Sequence, residues 1–142
     1  RLPDDVYVIE DRVTGICREE HDIRLYYNFA FGHLDGESGK FDYTSQKGRG
    51  YTMTVQADKK LDFEILEGSE NPIGGWISYG YAWRKPIPQL IAKHSGKAPI
   101  HFITVLAPAG TRAEAAINGN AATVTLAGGK VLTLTENAVE LR

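Results

Sequence analysis

The chain has 142 residues, 42% hydrophobic and 24% charged, with a formal net charge of −2. That length allows one domain with a full core, and the composition excludes collagen, wholesale disorder and a disulfide scaffold. A single cysteine leaves no internal disulfide, apolar runs as short as Phe102 to Ala109 provide no membrane span, and the slightly acidic balance argues against a dedicated nucleic-acid partner.

The chain begins with Arg1, its one methionine is Met53, and it shows no signal-peptide pattern, so it reads as a piece of a longer polypeptide. In chain order, the pattern is mostly period two. Val6, Val8 and Glu10 alternate with Tyr7, Ile9 and Asp11. Ile23, Leu25, Tyr27, Phe29 and Phe31 share one face of a second strand. Tyr51, Met53, Val55 and Ala57 mark a third, and Leu61, Phe63 and Ile65 a fourth. Such alternation predicts half-buried strands, apolar towards a core and polar towards water. Asp35 to Gly50 and Glu67 to Gly75 are polar and glycine-rich and are expected to be loops.

Pro86 to Ala92 has too many prolines and too little length for a helix, and no segment shows helical spacing over ten or more residues. Ile100 to Ala107 is apolar on both faces, which predicts a central strand covered on both sides. Asn118-Gly119-Asn120 and Ala127-Gly128-Gly129 are turn signals between alternating runs, because glycine and asparagine tolerate positive φ. The expectation is an all-β fold: an antiparallel β-sandwich of about nine to eleven short strands in a single domain, residues 1–142.

Charge is uneven along the chain. Residues 1–70 hold 15 acids against 9 bases, whereas residues 71–113 hold five bases and no acid. The basic stretch also carries Trp76, Tyr79, Tyr81 and Trp83, followed directly by Arg84 and Lys85. These six are the candidate substrate-binding residues. Aromatic faces stack on sugar rings, and the two cations pair with carboxylate or sulfate. The competing reading is that strand alternation sends the aromatics into the core and that the bases balance acids of the first seventy residues. Strict alternation sets Trp76, Ser78 and Gly80 against Ile77, Tyr79, Tyr81 and Trp83, unless Gly80 marks a bulge.

No catalytic constellation is legible. His21, His33, His94 and His101 lack metal-ligand spacing, although His94 and His101 flank a turn and could meet on adjoining strands. Cys17 stands alone and reads as a buried or idle thiol. There is no nucleophile elbow or phosphate loop. The carboxylate pairs Asp4-Asp5, Glu10-Asp11 and Glu19-Glu20 read as solvated strand ends.

Two stretches, taken in order, carry a resemblance. Tyr7-Val8-Ile9-Glu10-Asp11-Arg12-Val13-Thr14 is followed by Leu25-Tyr26-Tyr27-Asn28-Phe29. Then come Gly75 to Tyr81, Arg84-Lys85-Pro86-Ile87-Pro88, and Ala98 to Pro108. Together, over roughly Val6 to Pro108, they resemble the C-terminal β-sheet region of the heparinase II/III-like polysaccharide lyases, which include oligo-alginate lyases.

The resemblance implies a β-region that follows an α-helical toroid in enzymes cleaving uronic-acid polysaccharides by β-elimination. The toroid supplies most catalytic groups and is absent here, so no catalytic residue is assigned. The implied partners are an acidic polysaccharide and the missing N-terminal toroid, and the implied location is periplasmic or secreted. Several such lyases carry a structural metal in the β-region. Asp11 matches one ligand, but Tyr27 or Asn28 stands where a histidine would follow, so no metal and no cofactor are expected. The alternatives are a stand-alone carbohydrate-binding module and a structural or adhesive β-domain.

Overall fold

A computed structural model describes residues 2–15 and 19–142, so Cys17 lies outside the described residues. The strands, in chain order, are β1 (Tyr7–Val13), β2 (His21–Asn28), β3 (Gly32–Glu37), β4 (Lys40–Ser45), β5 (Gly50–Ala57), β6 (Asp62–Glu67), β7 (Ser69–Glu70) and β8 (Ile73–Gly74). They continue as β9 (Trp76–Gly80), β10 (Trp83–Pro86), β11 (Pro88–Gly96), β12 (Ile100–Pro108), β13 (Ala113–Asn118), β14 (Ala121–Leu126), β15 (Val131–Thr135) and β16 (Ala138–Leu141). The all-β, antiparallel expectation holds. No helix among the described residues is long and apolar enough to cross a membrane.

Three sheets form successive layers. The central one has the order β1-β12-β5-β4-β3. On one face, Val6, Ile103, Val105 and Ala107 pack against Ala122, Val124, Leu126, Leu132 and Leu134 of the β13-β14-β15-β16 meander. On the other, Leu34, Phe41, Tyr43, Met53 and Val55 pack against Leu90 and Ala92 of the β2-β11-β6 sheet. β12 lies between β1 and β5 and is buried from Ile100 to Val105, as its two-sided apolar run predicts. The architecture is therefore a stack of layers sharing a middle sheet, rather than one two-sheet sandwich.

Sixteen strands are described, against the nine to eleven expected. Much of the difference lies in the presumed loops. Residues 35–50 are largely the β3–β4 hairpin and the start of β5. Their only apolar residues, Phe41 and Tyr43, are two apart, and both are buried. Lys40, Asp42 and Thr44 point outward, and Ser38 (φ 54) and Gly39 (φ 86) close the turn in the left-handed region. Polarity hid a strand whose core face needs only two side chains. Residues 67–75 likewise hold the β7–β8 ribbon. The Asn118–Asn120 and Ala127–Gly129 turns join β13 to β14 and β14 to β15 as predicted, with positive φ at Gly119, Gly128 and Gly129.

Candidate functional site

All six candidate residues fall on one ribbon, the β9–β10 hairpin. Gly80 and Trp83 are its closing pair, with Tyr81 and Ala82 between them. Ala82 turns the chain with φ 55, and Ser78 Oγ lies 2.7 Å from the Trp83 carbonyl oxygen and 2.9 Å from that of Gly80. One hydroxyl proton is thus shared across the turn. The register shifts where Ser78 and Tyr79 of β9 stand opposite the single residue Arg84 of β10, which places the bulge on β9 beside Tyr79 and not at Gly80.

The hairpin has two differently employed sides. On one, the Trp76 indole donates to the Ser69 carbonyl at 2.9 Å, and the Arg84 guanidinium lies 4.2 Å above the Trp76 ring. Arg84 also pairs with Glu70 at 2.6 Å. This side anchors the ribbon to β7, and the Arg84 charge is balanced by an acid from the first seventy residues. On the other side the Tyr79 and Trp83 rings stand 5.3 Å apart at 33°, and Lys85 Nζ lies 5.5 Å from the Trp83 ring. Tyr79 is 74% exposed and Tyr81, at the tip, is fully exposed. Trp83 is exposed too. Lys85 has no ion-pair partner among the described residues.

The six residues therefore divide. Trp76 and Arg84 hold the hairpin in place. Tyr79, Tyr81 and Trp83, with Lys85, present stacking faces and one uncompensated cation to solvent. Neither competing reading covers the whole set, because the hairpin projects from the layers and its outer side has no neighbouring sheet to bury it.

A second polar cluster had no sequence signature. His101 is buried on β12, directly opposite Arg12 of β1. His101 Nε2 and Arg12 Nη2 both lie 2.7 Å from Glu10 Oε1. Arg12 also donates to the Asn120 carbonyl at 2.9 Å, joining the cluster to the β13–β14 turn. His101 Nδ1 is buried without a hydrogen-bond partner among the described residues. Glu10 is thus not a solvated strand end. Its partner is 91 positions away in the chain, and only the β1–β12 register brings the two together.

His94 and His101 do not meet. His94 lies on β11, in a different sheet, with Nδ1 3.0 Å from the Lys60 carbonyl oxygen. The Tyr27 hydroxyl is 2.7 Å from that of Thr104. Burial raises the Tyr27 pKa above its ordinary value, against the lowering effect of the Thr104 hydrogen bond and with a smaller contribution from the Asp11 charge. Tyr27 thus stands in place of the histidine that the resemblance implies beside Asp11. Among the described residues no group of three or more His, Cys, Asp or Glu could hold a metal ion. The donors do not fit the structural metal that the resemblance implies.

A groove of about 630 Å³ lies elsewhere, lined by Thr52, Thr54 and Gln56 of β5, Lys40 of β4, and Arg112 and Glu114 beside or on β13. None of its lining residues belongs to the hairpin. Compared with known proteins, the chain matches no family model, no curated sequence and no solved structure.

Proposed function

We propose that the chain is a non-catalytic β-module of a polysaccharide lyase acting on uronic-acid glycans by β-elimination, and that its β9–β10 hairpin contacts the glycan. The module would support the toroid of such an enzyme and line one side of its cleft, in a periplasmic or secreted setting. The observation that carries the reading is the outer side of the hairpin. Tyr79, Tyr81 and Trp83 are exposed on one ribbon with Lys85 beside the Trp83 ring.

Large aromatics left in water forgo the burial that usually holds them in cores. The Tyr79 and Trp83 rings, 5.3 Å apart on one side of the ribbon, offer stacking surface for the apolar face of a pyranose ring, and Tyr81 stands exposed at the tip beside them in sequence. Lys85 supplies a point charge for a ring carboxylate, while Arg84 is already paired with Glu70. Recognition of the anion thus rests on one cation and is screened moderately by salt. The family resemblance supplies the reaction, and the hairpin supplies the contact.

The test is titration of the folded chain with alginate, heparan sulfate and a neutral glucan at low and high salt. Binding to the acidic polymers that weakens with salt, and weakens by about tenfold or more in Trp83→Ala, supports the reading. Equal binding to the neutral glucan would point to a general carbohydrate-binding module. Absence of binding to all three, with a cooperative melt, removes the glycan contact.

A further inference from the structure

We infer that the β4–β5 turn carries a second anion subsite, built from Lys47, Arg49 and Phe31, which takes a carboxylate or sulfate group of the same acidic glycan that meets the β9–β10 hairpin. The inference rests on the glycan reading of that hairpin. Arg49 is the first observation. Arg12, Arg24, Arg84, Arg112 and Arg142 each lie 2.6–3.2 Å from a carboxylate oxygen. Arg49 has no carboxylate partner among the described residues, and neither has Lys47. Both are exposed. Two uncompensated cations thus stand two positions apart on one turn.

Hydrogen bonds fix the backbone that carries them. Ser45 N–H donates to the Arg49 carbonyl at 2.9 Å, and Gly48 N–H donates to the Ser45 carbonyl at 2.8 Å. Ser45 Oγ accepts from Arg49 N–H at 3.1 Å. Gly48 takes φ 75, which glycine reaches without a Cβ penalty. Gln46 N–H donates to the Phe31 carbonyl at 3.1 Å, tying the turn to the β2–β3 connection. The Tyr43 hydroxyl lies 3.2 Å from the Ala30 carbonyl oxygen and 3.3 Å from that of Phe31, holding the connection from beneath. Ala30, Phe31, Ser45, Gln46, Lys47 and Arg49 line a cavity of about 380 Å³ between the two segments. The planar guanidinium matches a carboxylate or sulfate with two parallel donors, Lys47 adds a point charge, and the half-buried Phe31 ring supplies an apolar wall for a sugar. A turn already ordered loses less on binding than a mobile one.

The turn and the hairpin stand at the same end of the stack. Gly32 pairs with Ser45, and Thr44 with Gly50, so β3 begins, β4 ends and β5 begins at the turn. Phe29 N–H donates to the Pro88 carbonyl at 2.9 Å, where β11 begins, and Ile87 N–H donates to the Gly75 carbonyl at 2.9 Å, at the base of the hairpin. Backbone contacts therefore run from Gln46 through Phe31 and Phe29 to Pro88, two residues beyond the end of β10 at Pro86. The acids at this end are Glu67 and Glu70, and Glu70 is held by Arg84. Lys85 on the hairpin and Lys47 with Arg49 on the turn are thus separate anion contacts on one end of the molecule. A polymer with a charge on every repeat engages both, and the second contact is gained at the effective concentration set by the first.

Titration of the full chain with heparan sulfate at several salt concentrations tests this. Lys47→Ala with Arg49→Ala should weaken binding by about ten- to a hundredfold, and should reduce the slope of log affinity against log salt by roughly one to two. Both side chains are exposed, so the thermal melt should be unchanged. Lys60→Ala with Lys97→Ala removes the same charge from the opposite end, where β6 and β12 begin, and should change affinity by less than about twofold. In Trp83→Ala the residual binding should persist, and adding Lys47→Ala and Arg49→Ala should abolish it. Equal losses in the two lysine-containing double variants would mean attraction by net charge alone and would overturn the subsite. A Lys47→Ala, Arg49→Ala chain that binds as the parent does would also overturn it, and a loss confined to Trp83→Ala would leave the hairpin as the one contact. A parent that binds no acidic glycan would remove turn and hairpin together.

Discussion

The Tyr27 hydroxyl meets the Thr104 hydroxyl at 2.7 Å, joining the β2-β11-β6 sheet to the middle of the central sheet. Thr104 is fully buried and Tyr27 partly so, and the phenol gives the Thr104 hydroxyl its hydrogen-bond partner. Tyr27→Phe should cost about 1 kcal/mol, because it leaves the Thr104 hydroxyl without that partner. Tyr27→Phe with Thr104→Val should cost less than the sum of the single changes. Urea denaturation of the four-member cycle measures the difference.

The same phenol predicts an alkaline limit. Its pKa is raised in the folded state by burial, from an ordinary value of 10.0. The folded chain therefore holds the proton where the unfolded chain releases it. Stability from this group is present below about pH 10 and declines as pH rises above it. Melting temperatures from pH 8 to 11 should fall less steeply in Tyr27→Phe than in the parent; equal slopes would exclude the contribution.

Glu10 is shared between Arg12 and a buried imidazole. Glu10→Ala removes the one acceptor for both, and is expected to cost about 2–3 kcal/mol in chemical denaturation. Glu10→Gln retains an acceptor oxygen and should cost less. Since Arg12 also reaches the Asn120 carbonyl, hydrogen exchange at the β13–β14 turn should rise in Glu10→Ala before it rises in the β2-β11-β6 sheet.

The two sides of the hairpin should separate by mutation. Trp76→Ala removes the bond to Ser69 and the surface beneath Arg84, and should destabilise the chain by about 2 kcal/mol. Tyr79→Ala and Trp83→Ala should leave the melt nearly unchanged while weakening acidic-glycan binding by about ten- to a hundredfold. A Trp83→Ala chain that binds as the parent does would remove the outer side from the site.

Phe41 distinguishes a strand from a loop. It is 1% exposed, with its ring 5.2 Å from that of Phe63. Phe41→Ala should cost about 3–5 kcal/mol, the usual figure for emptying a core aromatic site. A loop residue would cost under about 0.5 kcal/mol. Equilibrium unfolding decides between them.

Period two and turn chemistry were enough to read the strand character of β1, β2, β5, β6, β12, β14 and β15, and the two-sided burial of β12. They acted locally: alternation states which residues share a face, and glycine or asparagine states where the chain can reverse. The aromatic segment around Trp76 to Lys85 was also visible, because its composition differs from the rest of the chain.

Only the tertiary structure decided what covers each face. Tyr79 and Trp76 have similar sequence surroundings, yet Trp76 closes on Ser69 and Arg84 while Tyr79 stands in solvent. Arg84 is neutralised by Glu70, whereas Lys85, on the opposite face of the same strand, lies beside the Trp83 ring. Glu10 and His101 meet because β1 and β12 are neighbours in the sheet. Sheet order comes from the burial of whole faces against one another, a sum over many residues distant in the chain, and no local pattern encodes it.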